Sequence, residues 1–171
     1  MDIRKDKIRD AVQNFQSLEH RMEHVATVRG VEFINDSKAT NVDSAARALS
    51  CYSDIYWIAG GRSKDGGFEP LGPFLPHVRS AYLIGEAADL MAAFLTDKVT
   101  YHLCGNLMTA VQRAHQDALA DHLRNPVVLL SPACASFDQF KDFEDRGNRY
   151  RAIVSTLPGQ HRSPRHEGIA A

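Results

Sequence analysis

Five short apolar runs punctuate this chain, and each ends in small or turn-forming residues. They are VEFIND (31–36), IYWIAGG (55–61), AYLIGEA (81–87), VTYHLCG (99–105) and VVLLSPACAS (127–136). The runs are nearly continuous in apolar character and do not alternate, the pattern of strands covered on both faces. Helix-length segments fall between them, at 41–49, 86–94, 106–123 and 138–155. In the third, Leu107, Val111, Ala114, Ala118 and Leu119 recur at helical spacing. Strand and helix therefore alternate. That order requires an α/β fold with a mostly parallel sheet and helices on both faces.

The remaining sequence is sparser. Residues 8–15 read as a charged amphipathic helix in which Ile8, Val12 and Phe15 make a thin stripe. HVATVRG (24–30) reads as a short polar strand or turn. From Gly159 the chain is polar with little to bury, so a disordered tail is expected. The length of 171 residues suits one domain with modest extensions. A net charge of −1 gives no bulk field for nucleic acid or an anionic membrane. No apolar run approaches the roughly 20 residues needed to cross a bilayer, and MDIRKDKIRD lacks the apolar core of a signal peptide. A cytoplasmic location is expected. Cys51, Cys104 and Cys134 are odd in number and widely spaced, which argues against a disulfide framework or a zinc site. The eight histidines show no HExxH-like spacing, and no metal site is expected. Neither GxGxxG nor GxxxxGK[ST] occurs, and no nucleophile elbow.

Ligands of open parallel sheets gather at the carboxyl ends of the strands, and three stretches fall there. NDSKATN (35–41) offers Asp36, Lys38, Ser37 and Thr40, with Thr40 or Asn41 able to cap the next helix. It reads as a capped turn or as a ligand site. AGGRSKDGGFEPL (59–71) sets Arg62 and Lys64 among four glycines, as a solvated loop or as a cradle for a carboxylate or phosphate. LSPACASFDQFKDFEDRG (130–147) runs from a strand into a helix expected to open near Ser136 and Phe137, with Asp138 in its first turn. At least two of Phe137, Phe140 and Phe143 are expected in the core, as are Met91 and Met108.

These stretches, with LEHRMEHV (18–25), resemble the C-terminal domain of the Mur ligase family in order and spacing, over roughly residues 12–157. Sibling ligases carry a proline-containing pattern where NDSKATN stands, so SKATN points to the D-glutamate-adding member. The resemblance implies a Rossmann-like sheet and three parts to the chain. Residues 1–24 would be the hinge and terminal helix of a central domain, 25–158 the amino-acid-binding domain and 159–171 a tail. It implies an ATP-dependent ligase that adds D-glutamate to UDP-N-acetylmuramoyl-L-alanine in peptidoglycan precursor synthesis. ATP and Mg2+ would be used with a phosphate loop and metal ligands outside this chain, which alone would be inactive. Lys38, Thr40, Lys64, Ser136, Phe137 and Phe143 match substrate-binding positions, with Arg62 the alternative to Lys64 as carboxylate partner. His20, Arg21 and Asp36 match nucleotide-binding positions. None is a nucleophile or general base, so no catalytic residue is expected here. The expected partners are D-glutamate, ATP and, through other domains, the UDP-sugar, with no nucleic acid and no membrane. The competing reading is a stand-alone module that binds D-glutamate or the intact ligase.

Overall fold

A computed structural model describes residues 18–163. The helix expected at residues 8–15 lies outside them. Seven strands form one sheet in the order β5-β4-β3-β6-β2-β1-β7. They are β1 (Glu23–Val28), β2 (Val31–Asn35), β3 (Ile55–Gly60), β4 (Val78–Ile84), β5 (Thr100–Gly105), β6 (Val127–Leu130) and β7 (His161–Arg162). The five strands from β5 to β2 run parallel. Central β3 and β6 are buried at every residue, which accounts for their unbroken apolar sequence. β1 and β2 form an antiparallel hairpin. Its two-residue turn, Arg29–Gly30, has φ of 51° and 88°, as a type I′ turn requires.

Four helices cover the sheet: α1 (Val42–Leu49), α2 (Ala88–Leu95), α3 (Leu107–Ala120) and α4 (Phe143–Ser155). Asn41 caps α1 by accepting from Ser44 N, and Asn106 caps α3 by accepting from Thr109 N. α1, α2 and the 3-10 segment Glu69–His77 pack with Trp57, Leu129 and Leu83 on one face. α3 and α4 pack with Phe33, Tyr82 and Val128 on the other. The chain leaving β6 thus crosses to the face opposite that taken by the chains leaving β2 and β3. That divergence opens a crevice at the carboxyl ends of these strands.

Several expectations need correction. α4 begins at Phe143, capped by Asp142, and not near Ser136. Residues 136–140 make only a single turn, closed by Phe140 N donating to Ser136 O. Met91 is fully buried, but Met108 is 54% exposed in the first turn of α3, where the helix end overhangs the sheet. Phe137 is 64% exposed. Residues 161–162 add β7 to the β1 edge, so the segment after Gly159 starts as ordered backbone. The 3-10 run was not anticipated. Its prolines at 70, 73 and 76 repeat every three residues, matching a helix of three residues per turn.

Candidate functional site

Where β2 ends, Asp36 turns its carboxylate inward and is 5% exposed. Oδ1 accepts from Met22 N at 3.2 Å and Oδ2 from the Ser131 hydroxyl at 2.9 Å. Burial pushes its pKa up to about 6, outweighing these two bonds and the nearby Arg21 charge. A cleft of about 350 Å³ opens above it, lined by Arg21, Met22, Asp36, Lys38, Ala39, Ser44, Arg47, Ala48 and Cys51. Raising a carboxyl pKa in the fold favours the protonated native state, so the contribution of Asp36 to stability is greatest below pH 3.8. It falls as pH rises through about 6 and is flat above. Asp36→Asn should therefore stabilise the domain at pH 8, by up to roughly 2 kcal/mol, and leave it little changed at pH 4. Urea unfolding at both pH values checks this; equal effects would contradict it.

Two strained residues bring Arg21 and Met22 to that carboxylate. His20 and Met22 have φ of 63° and 45°, a left-handed conformation that non-glycine residues adopt at a cost. The His20 ring fixes the turn. It is buried, with Nδ1 3.0 Å from Asn35 Nδ2, and stands edge-on to Phe143 at 6.2 Å. A Cβ on Gly147 would sit 2.1 Å from His20 Nδ1, so only glycine leaves room for the ring. His20 O accepts from Lys38 N at 2.9 Å. His20 thus braces the turn from beneath and does not line the cleft, unlike its neighbour Arg21.

The exits of β3, β4 and β6 meet at glycines. Gly61 has φ of 129°, and a Cβ there would lie 2.2 Å from Ala135 O. Arg62 and Ala135 exchange two backbone hydrogen bonds of 2.9 Å, which ties the Gly-rich loop to the residue before Ser136. The Arg62 guanidinium is committed elsewhere, to Glu86 at 2.9 and 3.0 Å. Lys64 forms no ion pair among the described residues. It lines a hollow of about 250 Å³ with Asn41, Asp43, Asp65, Phe68 and Ala133. Of the two cations in this loop, Lys64 is the one left available to a carboxylate.

Arg146 joins the β2 exit to the β6 exit. It is fully buried and donates to Ser37 Oγ, Ser37 O and Cys134 O at 2.9, 2.8 and 3.1 Å. Ser37 Oγ in turn donates to Phe143 O at 2.8 Å. Burial holds the guanidinium pKa down to about 10, so it stays charged at neutral pH, with carbonyl and hydroxyl dipoles in place of a carboxylate. Neither Arg146 nor Asn35 was singled out from sequence as a site residue, and Ser37 was read as a hydroxyl open to a ligand, whereas its Oγ is taken up by Arg146 and Phe143 O. The available signal was spacing: Arg146, Tyr150 and Val154 share one buried stripe of α4.

Of the expected residues, Arg21, Asp36 and Lys38 share the larger cleft. Lys38 Nζ also lies 5.5 Å from the Phe143 ring centroid. Thr40 is half-buried, lines neither hollow, and lies in sequence between Ala39 of the larger one and Asn41 of the smaller, with its N–H bonded to Lys38 O. Ser136 is buried beside the Arg62–Ala135 bridge. Phe137 points to solvent and lines neither hollow. Among the described residues, no group of three or more His, Cys, Asp or Glu could hold a metal ion.

Residues 20–134 match the model of a family described as "Mur ligase, glutamate ligase domain". The chain is 48% identical over 159 residues to a UDP-N-acetylmuramoylalanine–D-glutamate ligase of Nitrobacter hamburgensis, covering 93% of this chain and 34% of that protein. It is 52% identical over 153 residues to the enzyme of the same name from Mesorhizobium japonicum, covering 90% and 33%. The chain thus spans about a third of the length of these relatives. A solved Mycobacterium tuberculosis folylpolyglutamate synthase, complexed with ADP and AMPPCP, shares the fold at TM-score 0.52 and 17% identity, over 84% of this chain and 34% of that one. On the family match and on this sheet topology, the chain belongs to the Mur ligase family, within its glutamate ligase domain.

Proposed function

We propose that this domain presents D-glutamate and part of ATP in a ligase that extends UDP-N-acetylmuramoyl-L-alanine, a soluble cytoplasmic step of peptidoglycan precursor synthesis. The observation that carries the reading is the pairing of two adjacent hollows at the carboxyl ends of β2, β3 and β6, one holding Asp36 with three cations and the other holding Lys64. The relatives' printed names supply the amino acid and the acceptor. AMPPCP in the structural neighbour is an ATP analogue, which favours ATP as the nucleotide.

In such a reaction a carboxylate oxygen of the acceptor attacks the γ-phosphorus of ATP and ADP leaves. The amine of D-glutamate then attacks the acyl carbon, and phosphate leaves as the amide forms. This domain supplies no nucleophile or general base. Its part is to hold reactants in line and to offset charge. Lys64 takes a carboxylate of D-glutamate, and the Thr40 and Ser136 hydroxyls and the Phe137 backbone N–H supply neutral donors. Phe143 walls the pocket. Arg21 and Asp36 reach the nucleotide, Lys38 stands between the two ligands, and His20 acts through Arg21. Mg2+, held by residues outside this chain, would supply charge neutralisation at the phosphates.

The test is kinetic. In a ligase assembled from this domain and the remaining two thirds of the Mesorhizobium japonicum relative, Lys64→Ala should raise KM for D-glutamate by about tenfold or more, the loss of one charge-assisted bond. KM for ATP should change little. An unchanged KM for D-glutamate would remove Lys64 from the site.

A further inference from the structure

The cleft above Asp36 has a wall that the nucleotide assignment leaves unexplained. Ser44, Arg47 and Ala48 line it from α1, and Cys51 from just beyond the end of that helix. Arg62, Arg79, Arg113, Arg149 and Arg151 are each paired with a carboxylate. Arg21, Lys38 and Arg47 form no ion pair among the described residues. These three unpaired cations line one cleft, against the single carboxylate of Asp36. Among the described residues, the Arg47 guanidinium makes one hydrogen bond, a long one from Nε to Asp43 O at 3.3 Å. Its two terminal nitrogens remain for a ligand. A concave site with this excess of positive charge concentrates polyanions, and a guanidinium engages phosphate through two parallel bonds.

We propose that Arg47 is a further nucleotide-binding residue, which grips the phosphate chain of a nucleoside polyphosphate from α1 while Arg21 holds it from the turn before β1. The inference rests on the reading of this cleft as the nucleotide site and extends it to a second wall. It places the phosphates against the last turn of α1, where Arg47 stands, beside the exposed Cys51 thiol that follows the helix. Bound polyphosphate then shields that thiol. Cys104 is half-buried and Cys134 buried, so thiol modification in the folded domain reports chiefly on Cys51.

The experiment measures the rate of Cys51 modification by a thiol reagent, with the site identified by peptide mass, against increasing ATP, inorganic triphosphate or adenosine. ATP and triphosphate are expected to slow the reaction and adenosine is not. Arg47→Ala should raise the half-protecting ATP concentration about five- to tenfold, the loss of one charge-assisted contact, and Arg47→Lys should recover part of it. Arg149→Ala, which removes an exposed arginine paired with Asp145, should leave it unchanged. If Arg47→Ala matches the parent chain while Arg21→Ala and Asp36→Asn lose protection, the nucleotide cleft stands and the role of Arg47 is overturned. If ATP gives no protection to the parent chain, or if none of the three variants alters it, the nucleotide reading of the cleft falls with it.

Discussion

Replacing Arg146 by alanine is expected to destabilise the domain by about 4 kcal/mol, much of the stability of a typical domain. Three acceptors would lose their donor in a place water does not reach: Ser37 O, Ser37 Oγ and Cys134 O. Each buried polar group left unsatisfied costs about 1–3 kcal/mol, and removing most of a fully buried side chain adds a cavity cost. The comparison that isolates the effect is Arg149→Ala, three residues along the same helix. Arg149 is exposed and makes an i,i+4 pair with Asp145, a contact worth a few tenths of a kcal/mol. Urea unfolding of both variants at pH 7 should show a large drop in midpoint for Arg146→Ala and almost none for Arg149→Ala. A loss below about 1 kcal/mol at Arg146 would mean that the two strand exits are held by something else. Because Arg146 joins Ser37 to Cys134, its loss should also loosen Lys38, Thr40 and Ser136, so ligand response should weaken in whatever fraction remains folded.

Gly61→Ala should come next in size, at about 3 kcal/mol. The new methyl would stand 2.2 Å from Ala135 O while the backbone holds φ at 129°, a conformation that an L side chain resists. Backbone is what it meets, so no side chain can swing aside. The strand exit must shift, and the paired hydrogen bonds between Arg62 and Ala135 must lengthen or break. Gly72→Ala is the control, since nothing lies within 4 Å of a Cβ there and its φ is ordinary. Gly72→Ala should change stability by less than about 0.5 kcal/mol. If the two glycines tolerate alanine equally well, the close approach of the β3 and β6 exits is not the constraint described here.

The parts of this architecture that could be read from sequence are those where one local cause dominates. β3 and β6 announce themselves because burial on both faces removes every polar residue from IYWIAG and VVLL. α1 and α3 begin where Asn41 and Asn106 place a capping oxygen. The candidate site was legible at the strand exits because glycines, hydroxyls and cations cluster after strands. The misses have non-local causes. FEDRGNRYR is a charged stretch of helix, and nothing beside Arg146 in sequence reveals that Ser37, 109 residues away, awaits its guanidinium. The start of α4 was placed several residues early because Ser136 and Asp138 look like caps, whereas Asp142 is the residue whose side chain accepts from the helix. What sequence could not show for His20 is where its ring points: it is drawn inward by Asn35 and by the space that Gly147 leaves. Met108 and Phe137 carry core-like side chains at positions where the sheet has already ended.

The central claim is that an amino-acid site for D-glutamate lies at the exits of β2, β3 and β6, and a backbone chemical-shift titration of this chain tests it most directly. D-glutamate is the ligand, with L-glutamate and D-alanine as controls. The account predicts saturable shifts with D-glutamate that are strongest at Thr40, Lys64 and Ser136. They should be much weaker with L-glutamate and D-alanine, and lost in Lys64→Ala. Saturable D-glutamate shifts centred elsewhere, or equal responses to D- and L-glutamate at these residues, would contradict it.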